Sequence, residues 1–286
     1  MENINLKYQT ELKMSTNLFK ARTNYAYTIK ILAELLQNNI KTACFDVDNK
    51  GIDLCMMDTN RTVLIKLTLD SNKFSYYKFN SRTTISLGLN LNHLHMMLKS
   101  IKKKDSIELF IKRSDPTDLG IRVIPRDNNR KTTSYLKIQN IQNLDIHIPE
   151  GYGKQPVIIS SSDFQKMCKD MSHLGKHINV SSKQYSICFT CDSGSIMKRS
   201  VEFGELEYCD SDDDNEDNEC LYNQDFKTEQ LAHITKLSGL SNNMQIYTKN
   251  GLPLLFKSNV SELGNIAIYI KSKNLIEMEK KYELES

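Results

Sequence analysis

Residues 43–69, ACFDVDNKGIDLCMMDTNRTVLIKLTL, read as three short strands joined by two tight turns. Ala43, Phe45 and Val47 alternate with polar or small residues, as do Ile52, Leu54 and Met56, and then Val63, Ile65, Leu67 and Leu69. A period of two means that one face of the sheet is buried. Asn49-Lys50-Gly51 and Asp58-Thr59-Asn60 supply turn chemistry, because Gly, Asn and Asp tolerate the backbone angles a tight turn requires. Met57 and Leu64 break the pattern. They lie on the face opposite the core, on either side of the second turn, and two large apolar side chains there predict a surface meant for a partner.

The chain has 286 residues, enough for two domains with separate cores. With 26 % charged and 39 % apolar residues it reads as a soluble globular protein. No apolar run approaches the roughly 20 residues of a membrane span. The first residues, MENINLKYQTELKMSTNLFK, lack the apolar core of a signal peptide, so a reducing intracellular compartment is expected. The seven unevenly spaced cysteines then read as free thiols and not as a disulfide framework. A net charge of +3 says little about partners; what matters is where the charges sit.

An amphipathic helix followed by two strands recurs four times. The helices are expected at about Tyr27 to Leu36, Leu91 to Ile101, Asp163 to His173 and Glu229 to Leu237. The strand pairs after the first are SIELFIK and IRVIP, separated by a loop with Pro116 and Gly120, then INVSS and SICFTC, then MQIYT and LPLLFK around the turn Lys249-Asn250-Gly251. This is a pseudo-repeat of supersecondary units and not a short solenoid period. It predicts an α+β chain of two similar domains, each with two helices on antiparallel sheets. The domains are expected at 19–141 and 156–273, with a flexible extension over 1–18 and a tail over 274–286. The link between them falls at 142–155, where Pro149, Gly151 and Gly153 oppose regular structure. The run DSDDDNEDNE, 210–219, reads as a solvated acidic loop.

In the third helix Phe164, Met167, Cys168 and Met171 form the buried stripe, with Lys166, Lys169 and His173 on another face. In the second, Leu91, Leu94, Leu98 and Ile101 point inward and His95, Lys99 and Lys102 outward. The fourth has Leu231 and Ile234 inward, with His233 and Lys236 elsewhere. The first has Leu32, Leu35 and Leu36 inward and Lys30 outward, opposed by Glu34. A lysine on a free helix face ordinarily only keeps the helix soluble. Three basic outer faces out of four, in a repeated architecture, predict a continuous surface for the phosphates of a duplex, sequence-independent and sensitive to salt. The chain contains no Trp and no stacking signature of the kind that single-strand binders use.

Catalytic and metal chemistry find little footing. Cys188 and Cys191 form a CxxC, yet on a strand positions three apart face opposite ways, and no second close pair completes a zinc site. Cys168 and His173 do not share a helix face. Asp210, Asp212 and Asp214 resemble the start of a calcium loop, but Asn215 and Leu221 stand where such a loop needs Gly and Glu. GxxxxGK[ST], GxGxxG and HExxH are all missing.

Several stretches are similar to the proliferating cell nuclear antigen family, the eukaryotic-type DNA sliding clamps. They are FKAR at 19–22, the segment 43–69, LGLNLNHLHMMLK, IPEG, FQKMCKDMSHLG at 164–175, and GLPLLFKSNVSELGNIAIYIKSK near the C-terminus. The resemblance runs from about Phe19 to Lys273 and implies a homotrimeric, six-domain ring around double-stranded DNA. Helices would line the hole and sheets would form the wall. It implies a processivity factor for a DNA polymerase, opened by an ATP-dependent clamp loader, with no catalysis, cofactor or metal of its own and no membrane association. The place of work would be the nucleus, or a viral replication site. By position, the DNA-facing residues would be Lys30, Lys99, Lys166, Lys169, His173 and Lys236, while Gln37, Met96 and Glu229 stand where the family often has a cation. Met57, Arg61, Leu64, Ile146, Ile148, Leu252, Pro253 and Tyr269 would form a groove for proteins carrying the family's interacting peptide motif, which inserts one aliphatic and two aromatic side chains. Arg61 replaces a common His, Lys271 replaces a small residue, and Gln184, beside Lys183, replaces the family's ubiquitin-accepting Lys. The divergence, the N-terminal extension and the Asn- and Lys-rich composition point to a viral or protist clamp. Alternatives within the fold are a subunit of a heterotrimeric checkpoint clamp and a monomeric processivity factor. An enzyme acting on nucleic acid through the acidic loop is the rival outside it.

Overall fold

The computed structural model describes residues 16–127, 130–141, 146–153, 155–183, 185–194, 196–204 and 221–285, with the side chains of 283–285 left aside. The expected meander forms strands β2 (Thr42–Val47), β3 (Gly51–Met57) and β4 (Val63–Asp70). Its first turn is held by the Asp48 carboxylate, which accepts from the backbone N–H of Lys50 (2.7 Å) and Gly51 (3.0 Å). Gly51 is required for a reason other than turn angles. Its φ is not positive, and a Cβ there would lie 2.0 Å from the Leu69 carbonyl oxygen of the neighbouring strand. In the second turn the left-handed residue is Arg61, at φ 54°. Asp58 braces it by accepting from the N–H of Thr62 (2.6 Å) and of Val63 (2.7 Å).

The meander sits in an antiparallel sheet of eight strands that both halves of the chain build. Its order is β10 (Val157–Ser160), β15 (Asn243–Tyr247), β16 (Leu254–Asn259), β17 (Gly264–Ile270), β4, β3, β2, β6 (Ile85–Asn90). The halves meet at the ladder of β17 and β4, which runs from Gly264↔Leu69 to Ile270↔Val63. A five-stranded sheet orders β5 (Tyr76–Phe79), β1 (Asn17–Thr23), β7 (Ser106–Lys112), β8 (Asp115–Ile124) and β9 (Thr132–Lys137). A four-stranded sheet orders β13 (Lys198–Gly204), β12 (Ser186–Asp192), β11 (His177–Ser182) and β14 (Tyr222–Lys227). The loop expected around Pro116 and Gly120 is instead part of β8. Gly120 serves close packing there: a Cβ would come within 2.3 Å of the Phe110 ring on β7.

The helices are α1 (Ala26–Asn39), α2 (Leu91–Leu98), α3 (Ser161–Ser172), α4 (Thr228–His233) and α5 (Lys273–Glu285). The second and fourth are shorter than their apolar spacing suggests. After α4 the chain tightens into a 3-10 turn over Thr235–Gly239, with the Thr235 hydroxyl bonded back to the Ala232 carbonyl at 2.7 Å. The expected tail is α5, with the buried Ser272 hydroxyl accepting from the Leu275 N–H at its start. No helix among the described residues is long and apolar enough to cross a membrane.

In the second half the core is centred on Phe164 of α3, whose ring lies 5.9 Å from that of Phe189 and 5.5 Å from that of Phe256. Phe164→Ala is expected to cost about 3–5 kcal/mol. Urea unfolding at fixed chain concentration, compared with the unsubstituted protein, measures it.

Candidate functional site

The helices form one face. α2 packs on α1, α1 on α4 and its 3-10 extension, and these on α3, giving a row of helices. The six cations expected on this row fall into three groups. Lys99, Lys169 and His173 are exposed, with no ion pair among the described residues. Lys166 is exposed but pairs with Asp163 one turn back at 3.0 Å, and that contact holds the Asp163 carboxyl below its usual range. Lys30 and Lys236 hold the row together. The Lys30 ammonium donates to the carbonyl oxygens of Lys99 (2.8 Å) and Ile101 (3.2 Å), satisfying the end of α2. Lys236 meets Glu34 of α1 at 2.7 Å across the junction of the two halves. Lys102, Lys103 and Lys104, exposed just past α2, add charge to the same end.

The opposite face carries an apolar row running straight across five strands. Met57 pairs with Leu64, Leu64 with Tyr269, Tyr269 with Leu255, and Leu255 with Tyr247. Leu64 (3 % exposed), Leu255 (1 %) and Tyr269 (6 %) form a buried cluster separate from the main core. Met57, Cys55, Ile146, Ile148, Tyr152 and Ala267 pack against it. Residues 146–153 of the link, in neither helix nor strand, therefore lie over the sheet and supply Ile146, Ile148 and Tyr152. Tyr152 is the anchor. Its ring stands 6.2 Å from that of Tyr269 and 6.4 Å from that of Tyr247, and its hydroxyl donates to the Pro253 carbonyl at 2.7 Å. Burial holds the phenols of Tyr152 and Tyr269 above their ordinary range, with Cys55 and Glu150 adding to the effect on Tyr269. The pocket floor is uncharged.

Of the eight groove residues expected, Met57, Leu64, Ile146, Ile148 and Tyr269 come together in this cluster. Pro253 is buried and touches it through Tyr152. Leu252, half-buried, closes the turn before β16, and Arg61 stands exposed on the loop between Met57 and Leu64. Tyr152, Tyr247 and Leu255 escaped the sequence reading. A signal for Leu255 was present: LPLLF is apolar at consecutive positions, the mark of a strand buried on both faces.

Cys188 and Cys191 lie on opposite faces of β12, the latter fully buried. Among the described residues no three His, Cys, Asp or Glu side chains converge as metal ligands. Gln184, the run 210–219, Cys209 and Cys220 lie outside the described residues.

Comparison with known proteins gives a consistent result over nearly the whole chain. The family model of the proliferating cell nuclear antigen N-terminal domain matches residues 18–147, and that of the C-terminal domain matches 147–273. A relative described as probable DNA polymerase sliding clamp 1, from Paramecium bursaria Chlorella virus 1, is 26 % identical over 257 residues, covering 88 % of this chain and 96 % of its own. The fold is shared with the crystal structure of Proliferating Cellular Nuclear Antigen from Entamoeba histolytica, at TM-score 0.77 and 22 % identity, over 90 % of this chain and 99 % of that one. All but the first residue of α5 lies beyond the matched residues.

Proposed function

The chain belongs to the proliferating cell nuclear antigen family and is a DNA sliding clamp, and from that premise we propose how its two faces divide the work. The helix row faces the duplex through Lys99, Lys166, Lys169 and His173, with Lys30 and Lys236 setting the spacing of the helices. These contacts are few and exposed. That suits a ring that must slide, since tight binding of phosphates would oppose motion. The apolar row and the link form the groove for peptides of partner proteins, among them the polymerase, with Leu64, Leu255 and Tyr269 as floor and Met57, Ile146 and Ile148 as walls. The observation that carries this reading is the separation of an apolar cluster from the basic helix row by the thickness of one sheet.

The assembly we propose is a homotrimer. Among the described residues the five-stranded sheet ends in β5 and β9 and the four-stranded sheet in β13 and β14. β9 and β13 are the last strand of the first half and the fourth of the second, as the paired β17 and β4 are the last of the second and the fourth of the first, so these are the edges we propose to join. Unpaired edges are templates for pairing with another chain, and joining unlike edges head to tail closes a ring. An ATP-dependent loader would then be needed to open it on circular DNA. We assign the chain no catalysis of its own and place it at sites of DNA replication, in the nucleus or, for a virus-encoded clamp, where the virus replicates.

Light scattering during gel filtration is expected to give a particle of three 33.0 kDa chains. The same particle, with a loader, should lengthen polymerase products on primed circular templates. A species that stays at one chain mass at micromolar concentration would leave the monomeric processivity factor, and a requirement for other subunits would leave the heterotrimer.

A further inference from the structure

The outer face of the large sheet carries a second row, one step along the strands from the groove floor. Cys55 pairs with Lys66, Lys66 with Ala267, Ala267 with Lys257, Lys257 with Gln245, and Gln245 with Ile158. The small Ala267 between the two lysines leaves a dip. It opens into a trough of about 690 Å³ walled by Lys66, Lys257, Asn259, Asn265 and Ile158, and Tyr269 belongs both to this trough and to the groove floor. Tyr269 is therefore the residue at which the trough meets the groove floor.

Both lysines are exposed, and neither forms an ion pair among the described residues. The Lys257 ammonium rests 4.6 Å from the Tyr247 ring centroid, at the edge of the groove. Asp53, the carboxylate one row further out, is engaged by the Thr68 hydroxyl at 2.8 Å. One strand separates the lysines, so their Cα atoms stand about 10 Å apart, two strand spacings. In an extended peptide, side chains at alternate positions lie about 7 Å apart on one side, within the span of two flexible lysines.

We propose that this shelf is a subsite of the peptide groove and that it takes acidic side chains flanking the apolar anchors of a partner peptide. The proposal rests on the groove reading above and deepens it. An acidic peptide fits better than a nucleic acid. Among the described residues the shelf offers two cations, set beside Ala267 and the exposed Ile158, and it adjoins an apolar floor instead of the basic helix row.

The test uses the assembled full-length chain and fluorescence anisotropy with labelled synthetic peptides. All share one aliphatic and two aromatic anchors; they carry Asp-Ser-Glu or Asn-Ser-Gln appended at one end or the other. The acidic form is expected to bind about tenfold tighter at low salt, an advantage shrinking to about twofold at 0.5 M salt. Lys66→Ser with Lys257→Ser should erase the advantage and leave the amide peptide's affinity unchanged. Equal binding of acidic and amide forms, or an advantage that survives the double variant, overturns the shelf alone. Failure of every peptide to bind overturns the groove and the shelf with it. A labelled DNA duplex whose capture is lost in the double variant, with no preference for acidic peptide, assigns the lysines to phosphates and also overturns the proposal.

Discussion

A ring carrying Lys99→Glu and Lys169→Glu is expected to leave primed circular duplex at least tenfold faster at about 0.1 M salt, while binding groove peptides as before. Both side chains are exposed, and neither is committed to an ion pair within the described residues, so their reversal leaves the packing of the row intact. The contrast is with Lys30 and Lys236. Removing the first strips two carbonyl oxygens at the end of α2 of their donor, and removing the second unpairs the half-buried Glu34. Variants at those positions confuse lost stability with lost DNA contact. The check is retention measured between 50 and 200 mM salt. Fewer phosphate contacts mean a shallower dependence on salt, so a double variant with the original slope would remove Lys99 and Lys169 from the DNA-facing surface.

Tyr152→Ala should have the larger effect on the other face. The aromatic ring is what seats the link on the sheet, between Tyr247 and Tyr269, and the hydroxyl fixes it to Pro253. Without it the link keeps only the packing of Ile146 and Ile148 and the Lys249 ammonium on the Gly151 carbonyl, and peptide affinity is expected to fall at least tenfold as the link must be ordered again on binding. Tyr152→Phe keeps the ring and loses one hydrogen bond, about 1 kcal/mol, or roughly a fivefold weakening. Digestion within 146–153 should accelerate for the Ala variant and change little for Phe. Wild-type affinity together with an unchanged digestion rate for Tyr152→Ala would separate the link from the groove. Leu64→Ser is a poorer probe, because Leu64 is a buried floor residue whose loss also weakens the sheet.

The meander at 43–69 was legible because alternation survives wherever one face of a strand is wet, and Met57 and Leu64 stood out as exceptions to it. Leu255 left only the trace of an unbroken apolar run, because β16 is buried on both faces where it begins. Tyr247 left none, because it ends a strand that alternates normally and gains its role from the ring of Tyr152. Tyr152 belongs to a segment with no periodic structure, and only its contacts with residues about a hundred positions away give it a role. The helical cations followed from spacing along each helix. Which of them are free depends on partners from other helices, such as Ile101 for Lys30 and Glu34 for Lys236, and no local pattern encodes that. Glycine shows the same limit: Gly51 sits at a turn as expected, yet the carbonyl of Leu69 is what forbids a side chain there.

The ladder between β17 and β4 decides where the wall of the ring can give way. Its seven residue pairs join the halves of one chain into a single beam, so a pull along the wall falls on backbone hydrogen bonds. Residues 146–153, in neither helix nor strand, add nothing to that ladder and are free for the docking role proposed above. A ring of such subunits is therefore expected to part at the seams between them and not within a subunit.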